Sequence, residues 1–274
     1  MWRQRLQYAL YGVGMLGIYL FSRGFLLVRK QVTVHSDCQH PPTALKYTKA
    51  TSADCWLPLP LGKRPRLVIL LIDALRTDFA VPDPQDRSAY RNRLTVLWET
   101  ARDQPEKARL FRFLADPPTA TTQRLQGLTA GGLPTFIEVG DNFAAGGKGD
   151  AAEVTDNWVL QMLRHPSYRR FYFSGDDTWP KLYPFMLDDR EDSRAGPAAD
   201  RVKGYPSFHL FDLHTVDTAV KRDLLPILAH GEYDVVIAHF LGLDHCGHKY
   251  GPLNAACGEK LAEMDGVVRT VMAG

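Results

Sequence analysis

Three segments are predicted to form β-strands, and the first is a continuous apolar run. They cover residues 66–72 (Arg-Leu-Val-Ile-Leu-Leu-Ile), 169–174 and 233–240. A short apolar run in which polar positions do not alternate is typical of a strand that is buried on both faces of a parallel sheet. The chain is therefore predicted to contain at least part of such a sheet.

Helices are predicted between and after these strands. Apolar residues recur three and four positions apart over residues 90–104, 213–230 and 254–273. Strands that alternate with helices indicate an α/β fold, in which a mainly parallel sheet is flanked by helices. Ligands of such folds bind beyond the carboxyl ends of the strands, so that edge is where we expect a functional site.

Each predicted strand ends at an acidic residue. Asp73 follows the first strand, Asp176 and Asp177 follow the second, and Asp244 follows the third. Because the carboxyl ends of parallel strands meet at one edge, these carboxylates are expected to converge. Taken singly, an Asp after a strand is more often a helix cap or a turn residue, and that alternative stays open for each.

The N-terminus carries a 23-residue apolar run from Leu6 to Val28, with Arg23 as its one charged residue. A helix needs about 20 apolar residues to cross the hydrocarbon core of a bilayer. We therefore expect residues 1–30 to form an uncleaved transmembrane anchor; a cleaved signal peptide or a buried core helix are the alternatives. Residues 31–65, rich in Pro, Thr and Cys, are expected to link this anchor to a domain over 66–274.

Net charge and the positions of the cysteines bear on the partners and the cellular compartment of that domain. The 274 residues include 33 Lys and Arg and 31 Asp and Glu, and a net charge of +2 gives no reason to expect nucleic-acid binding. Cys38 and Cys55 lie in the predicted linker, where they suit a disulfide in an oxidising lumen, with two unpaired thiols as the alternative. Cys257 lies in a predicted helix and is expected to be a small buried residue.

Residues 244–248 (Asp-His-Cys-Gly-His) carry the sharpest chemical signal. Carboxylate oxygens and imidazole nitrogens bind zinc and manganese, and Asp244 and His248 are spaced to reach one ion from a turn after the third strand. His245 is a weaker candidate ligand, and His239 is expected to be a core residue or a support for a ligand. The alternative is a polar loop with two ordinary histidines.

A second ion could be held by Asp73 at the end of the first strand. Threonines also stand out at residues 119–122, where they follow two prolines and precede a helical pattern. A hydroxyl at a helix start is usually an N-cap. It is a nucleophile where a metal lowers its pKa and the helix N-terminus favours an anionic phosphate.

Taken together, these segments resemble the GPI ethanolamine phosphate transferases, a family of the alkaline-phosphatase superfamily. The resemblance extends from the N-terminal apolar run to the C-terminus. It is most specific over residues 117–138 and 239–252. The matching segments, in chain order, are residues 73–76 (Asp-Ala-Leu-Arg), 117–124, 133–138, 175–179 and 239–252.

The resemblance implies an alkaline-phosphatase-like catalytic domain in the lumen of the endoplasmic reticulum, held at its membrane. It also implies two divalent metal ions, expected to be Zn²⁺. Asp73 would ligate one ion beside a nucleophilic threonine, and Asp244 and His248 would ligate the other. Asp176 and Asp177 match a family segment and are possible further ligands.

The family's nucleophile is expected at Thr121, which lies ten residues before Gly131 and would also ligate the first ion. Thr119 is the alternative, because the surrounding pattern is rich in threonine. The implied reaction moves phosphoethanolamine from phosphatidylethanolamine to a mannose, expected to be the third, of the GPI-anchor precursor. The reaction is expected to pass through a threonine-linked intermediate. The expected partners are these two lipids, the membrane and a small membrane-protein subunit.

Two other functions stay open. The first is a metal-dependent phosphodiesterase of the same superfamily, with water as the acceptor. The second is a truncated, non-catalytic fragment. It arises because superfamily members carry a later Asp-His-Gly segment that completes the metal site next to the nucleophile, and this sequence has none. The C-terminal part of the domain is therefore expected to be missing.

Overall fold

The computed structural model describes residues 2–25, 66–117, 119–132, 156–164, 170–187 and 198–273. The chain divides into two compact units. One comprises Met1–Asp37 and Ala115–Val159, and the other comprises Cys38–Leu114 and Leu160–Gly274. The predicted linker, with Cys38 and Cys55, lies outside the described residues, and the predicted domain boundaries stay predictions.

The secondary structure follows the alternation that the sequence predicts. In chain order the elements are α1 (Trp2–Phe25), β1 (Leu67–Ile72), α2 (Thr77–Ala80), α3 (Val96–Asp103), α4 (Thr121–Ala130), α5 (Trp158–Arg164), β2 (Phe171–Asp176), α6 (Thr178–Leu182), a 3₁₀ helix (Pro184–Leu187), α7 (Ala198–Arg201), β3 (Val202–Tyr205), α8 (Thr215–His230), β4 (Val235–Phe240), α9 (Gly242–Tyr250) and α10 (Ala255–Ala273).

The strands of the second unit form a parallel sheet in the order β1-β4-β2-β3 over the described residues. β4 pairs with β1 on one side and with β2 on the other, so it lies inside the sheet. All residues of β2 and β4 are buried, including the polar residues Ser174, Asp176 and His239. The predicted α/β fold with a mainly parallel sheet flanked by helices is confirmed.

One face of this sheet is covered by α8 and α10. Ala238 and Phe240 of β4 belong to the same buried apolar cluster as Leu224 of α8 and Leu261 of α10. Side chains alternate between the faces of a strand, so His239 points to the opposite face from Ala238 and Phe240. The end of β4 therefore presents its histidine away from the main core.

The helix predicted over 90–104 begins late, at Val96. The reason is tertiary: one carboxylate oxygen of Asp265, in α10, accepts the backbone N–H groups of Thr95 and Val96, both at 2.8 Å. Asn92, three residues before Thr95, has a φ of 55°, which is incompatible with a right-handed helix at that position. The apolar spacing before Val96 therefore belongs to turns.

Hydropathy gives a different result from the prediction at the N-terminus. None of the helices that the described part of the chain forms is both long and apolar enough to cross a membrane. The apolar run over residues 6–28, which was predicted to span the membrane, falls largely on α1. The structure does not show that α1 is a transmembrane helix.

Candidate metal-binding site

The candidate site lies at the carboxyl ends of β1 and β4. Asp73 directly follows β1, and its backbone N–H donates to the carbonyl of Phe240, the last residue of β4, at 2.9 Å. Asp244 follows β4 in the first turn of α9. The two carboxylates are close enough for the charge of Asp73 to perturb the ionisation of Asp244. Asp73 and Asp244 thus follow neighbouring parallel strands at the same edge of the sheet, as the sequence predicts.

The prediction that residues 244–248 form a turn is wrong. They lie within α9, Gly242–Tyr250, so Asp244 and His248 are one helical turn apart on the same face. His248 Nε2 lies 3.5 Å from Asp244 Oδ2, and the His248 side chain is 57% exposed. One carboxylate oxygen and one imidazole nitrogen are therefore adjacent and accessible from solvent.

The Asp244 carboxyl is held in an environment that disfavours its negative charge. Burial is the largest cause that raises its pKa, and the negative charge of Asp73 raises it further. His248, His245 and His239 act in the opposite direction, but the net shift is upward. A cation bound near Asp244 would relieve this cost, because it would neutralise the carboxylate.

A strained turn at Ala74 fixes the position of Asp73. Its Oδ1 accepts the backbone N–H of Ala74 at 2.9 Å. Ala74 has a φ of 55°, a left-handed conformation that costs a non-glycine residue about 1 kcal/mol or more. Strain of this kind persists where the surrounding structure fixes the backbone, and here it turns the chain immediately after the candidate ligand.

His239 lies behind Asp73, within β4. The side chain is fully buried, with its Nε2 3.5 Å from Asp73 Oδ2. Its other ring nitrogen, Nδ1, accepts a hydrogen bond from the indole N–H of Trp179 at 3.1 Å. The prediction that His239 is either a core residue or a support for a ligand agrees with this position.

His245 faces away from solvent, unlike His248. It is 3% exposed, and its Nδ1 lies 2.7 Å from the carbonyl oxygen of Asp212. Lys249 adds a second bond to the same segment by donating to the carbonyl of Phe211 at 3.1 Å. His245 therefore joins α9 to the segment before α8, and its weaker candidacy as a ligand stays a prediction.

The described contacts of Asp176 and Asp177 are those of turn residues. Asp176 Oδ1 accepts the backbone N–H of Thr178 at 2.8 Å, where α6 begins. Asp177 pairs with Lys181 at 2.7 Å and accepts a hydrogen bond from the Ser207 hydroxyl at 3.1 Å. These bonds match the alternative in which an Asp after a strand caps or stabilises a turn.

Thr121 is the first residue of α4, and the N-cap position belongs to Ala120. None of the threonines at 119, 121 and 122 therefore occupies the N-cap position of α4. α4 belongs to the first unit, whereas Asp73 and Asp244 belong to the second. Thr121 as nucleophile, with Thr119 as its alternative, stays a prediction.

Two supports of α9 were missed by sequence reasoning. The first is a disulfide between Cys246 and Cys257, whose Cα atoms are 5.6 Å apart. It joins α9 to α10, and it corrects the expectation that Cys257 is merely a small buried residue. A signal was present in the sequence, since two cysteines 11 residues apart flank a predicted helix start, but spacing alone does not distinguish a disulfide from two buried thiols.

The second support is Asp217 of α8. Its Oδ1 accepts the backbone N–H groups of Leu241 at 2.9 Å and Gly242 at 3.0 Å, where α9 begins. A Cβ at Gly242 would lie 2.3 Å from Asp217 Oδ2 and 2.5 Å from the carbonyl oxygen of Leu213, so no larger residue fits. An acidic residue on the buried face of an amphipathic helix was the available signal.

The donor chemistry of this site suits a metal ion in part. Asp244 and His248 supply an oxygen and a nitrogen ligand of the kinds that Zn²⁺ accepts, and Asp73 supplies a further carboxylate. Within the residues that the structure describes, no group of three or more His, Cys, Asp or Glu side chains is arranged to hold a metal ion. The pair Asp244 and His248 therefore fits two ligands of an ion, and the ion itself stays a prediction.

Comparison with known proteins identifies relatives along almost the whole chain. The human protein named GPI ethanolamine phosphate transferase 3, catalytic subunit, is 41% identical over 263 residues, which is 92% of this chain and 22% of the human protein. GPI ethanolamine phosphate transferase 3 of Schizosaccharomyces pombe is 38% identical over 93% of this chain and 26% of its own length. The chain is a homologue of the GPI ethanolamine phosphate transferases.

The resemblance predicted from the sequence motifs is thus confirmed. A second human relative, GPI ethanolamine phosphate transferase 2, catalytic subunit, is 31% identical over 94% of this chain. The chain spans between about a fifth and a quarter of the length of the relatives described here, 22% to 26%. No family model matches the chain. No solved structure matches it either, so the likeness of its sheet to alkaline phosphatase stays a prediction.

Proposed function

We propose that this chain is part of an enzyme that transfers phosphoethanolamine from phosphatidylethanolamine to a mannose, the third, of the GPI-anchor precursor. The observation that carries the proposal is that His248 Nε2 lies 3.5 Å from Asp244 Oδ2 in α9, just beyond the strand that pairs with β1, the strand that Asp73 follows. Homology to transferases named for this reaction supports it. The names of the relatives describe whole proteins, so the complete activity is proposed for a longer assembly than these residues.

The residues have separate roles in this proposal. Asp244 and His248 hold one ion, and Asp73, together with Thr121, holds the other. Ions such as Zn²⁺ supply positive charge that stabilises the oxygens of a reacting phosphodiester. The geometry of α9 favours this role, because it places a carboxylate oxygen and an imidazole nitrogen 3.5 Å apart, with the imidazole accessible from solvent.

Thr121 is the proposed nucleophile, with Thr119 as its alternative. Its hydroxyl oxygen forms a bond to phosphorus while the bond from phosphorus to the diacylglycerol oxygen breaks. The hydroxyl proton is transferred away and diacylglycerol leaves with a proton. A mannose hydroxyl then displaces the threonine oxygen, which releases the threonine unchanged and completes a two-step covalent transfer.

The proposed location is the membrane of the endoplasmic reticulum, with the sheet domain in the lumen. The disulfide between Cys246 and Cys257 supports an oxidising compartment. Membrane attachment, including the N-terminal anchor, is proposed because both substrates are lipids. A small membrane-protein subunit is part of the same proposal, and it is supported by the name of the human relative, which describes a catalytic subunit.

The transfer assay uses microsomes that lack the resident transferase and contain the longer protein of which this chain is proposed to be part; a parallel sample contains this chain alone. Phosphatidylethanolamine labelled in its ethanolamine is the donor, and a mannose-bearing GPI precursor is the acceptor. Label should appear in the glycolipid, and Asp244→Asn or His248→Ala should abolish that transfer. His230→Ala, at an exposed histidine that ends α8, is the matched control and should leave transfer unchanged.

The same assay distinguishes the alternatives. Release of labelled phosphoethanolamine into water without transfer would identify a phosphodiesterase. Neither product would identify a fragment without activity of its own. Thr121→Ala and Thr119→Ala should separate the two candidate nucleophiles, since only one of them is expected to abolish turnover.

A further inference from the structure

The ring of His239 is held in one protonation pattern by Trp179. Both side chains are completely buried, and the indole N–H donates to His239 Nδ1 at 3.1 Å. An indole nitrogen can only donate, so Nδ1 must act as the acceptor. In a neutral imidazole the hydrogen then resides on Nε2, which becomes a donor and has no lone pair for a metal.

The protonated side of the ring points at Asp73. His239 Nε2 lies 3.5 Å from Asp73 Oδ2. It is buried and has no hydrogen-bond partner among the described residues. A buried N–H left without an acceptor costs about 1–3 kcal/mol, so the group is expected to move onto an oxygen within reach. Asp73 Oδ2 is an acceptor that a small movement would bring into hydrogen-bonding distance.

The surroundings prevent the ring from moving away. A Cβ at Gly175, in the neighbouring strand β2, would lie 2.7 Å from His239 Cβ, so β2 packs directly against the histidine. Trp179 is itself fixed by aromatic contacts, with ring centroids 5.5 Å from Phe173 and 5.8 Å from Tyr183. Both members of the hydrogen bond are therefore held by packing.

We propose that Trp179 and His239 are positioning residues that fix the Asp73 carboxylate for metal binding. Oδ1 accepts the N–H of Ala74 at 2.9 Å, and Oδ2 lies 3.5 Å from His239 Nε2, whose N–H would donate to it after that small movement. The inference rests on the proposed function, in which Asp73 is a ligand. Carboxylates that bind metals are commonly fixed by such hydrogen bonds, and loss of the outer partner lowers metal affinity by about 10-fold to 100-fold.

Paired substitutions separate the two nitrogens of His239. In His239→Gln the amide N–H₂ can take the place of Nε2 and still donate to Asp73. In His239→Asn the amide reaches only the position of Nδ1, so the donor to Asp73 is lost. Trp179→Phe keeps an aromatic ring but removes the N–H, and Trp98→Phe, at a partly exposed tryptophan in α3, is its matched control.

The measurement is Zn²⁺ affinity of the full chain, obtained by competition with a chelating dye, with circular dichroism as the check on folding. His239→Asn and Trp179→Phe should weaken binding by about 10-fold to 100-fold. His239→Gln and Trp98→Phe should stay within a few-fold of the unmodified chain. Equal affinity in all four folded variants would overturn the proposal.

A second measurement does not depend on metal. Long-range ¹H–¹⁵N NMR of the metal-free chain should show His239 protonated at Nε2 and not at Nδ1. Protonation at Nδ1 would overturn the proposal even if the variants unfold. Failure of the unmodified chain to bind Zn²⁺ would instead refute the proposed metal site, and with it the role of Asp73 on which the inference rests.

Discussion

Asp217 of α8 and Lys260 of α10 form an ion pair that is almost completely buried. Asp217 Oδ2 and Lys260 Nζ are 3.1 Å apart, and the side chains are 1% and 2% exposed. The other oxygen of Asp217 accepts the first two N–H groups at the start of α9. The pair therefore links two core helices to the helix that carries Asp244 and His248.

Substitution of one partner of this pair should be costly. In Lys260→Met the Asp217 carboxylate is buried without its cation, and we expect a loss of about 3–5 kcal/mol in the free energy of unfolding, measured with urea. Lys107→Met, at an exposed lysine, should change it by about 0.5 kcal/mol or less. The double variant Asp217→Asn/Lys260→Met should recover part of the loss, and a fully stable Lys260→Met would refute this account.

The disulfide between Cys246 and Cys257 should stabilise the junction of α9 and α10. The two cysteines are 11 residues apart, and removal of a disulfide that closes a short loop costs about 2–4 kcal/mol. In a background with Cys38→Ala and Cys55→Ala, reductant should therefore lower the melting temperature. Adding Cys246→Ala and Cys257→Ala should abolish that effect. Alkylation of both thiols without reductant, detected by mass spectrometry, would show that the bond is absent.

Asp212 should make the stability of α8 depend on pH. The Thr215 hydroxyl, and the N–H groups of His214 and Thr215, lower the pKa of Asp212 from 3.8 to about 2. Because the folded pKa is the lower one, this stabilisation is complete above about pH 4 and is lost as the pH falls towards 2. Asp212→Ala should cost about 1 kcal/mol at pH 7, as for loss of a helix cap.

The pH dependence provides the control for that variant. The difference in unfolding free energy between the unmodified chain and Asp212→Ala should shrink between pH 4 and pH 2.5, measured by urea denaturation at each pH. A difference that stays constant over this range would show that the charge of the Asp212 carboxylate does not contribute to the stability of the fold.

His245 and His248 should respond differently to substitution, although they are three residues apart. His248 is exposed, so His248→Ala should weaken Zn²⁺ binding by at least 10-fold with little change in melting temperature. His245 is buried against the Asp212 carbonyl, so His245→Ala should lower the melting temperature. Unchanged Zn²⁺ affinity in folded His248→Ala would remove His248 from the ligand set.

Local pattern was sufficient where burial is regular along the chain. The largely apolar segments that contain Leu67–Ile72 and Val235–Phe240 predicted strands, because strands of a parallel sheet are mainly apolar. β4 is fully buried as expected, whereas β1 is only partly buried, which corrects the expectation of a strand buried on both faces. The carboxylates of Asp73 and Asp244 could be expected to meet for a similar reason, since parallel strands place their carboxyl ends on one edge.

Pattern failed where a contact from a distant residue sets the local structure. The start of α3 depends on Asp265, which is 170 residues from Thr95 along the chain. The start of α9 depends on Asp217, and residues 244–248 became a helix where a turn was predicted. Neither partner has a periodic signature, because a single hydrogen bond between distant residues requires no repeat in the sequence.

The sequence by itself determined the α/β alternation, the acidic strand ends and the relationship to the GPI ethanolamine phosphate transferases. Those features are local, or they are motifs read in order along the chain. Only the tertiary structure decided that Trp179 fixes the ring of His239 and that Cys246 bonds to Cys257. The physical reason is that both contacts form only after packing brings separate elements together. The sequence of any one segment does not determine the geometry of that packing.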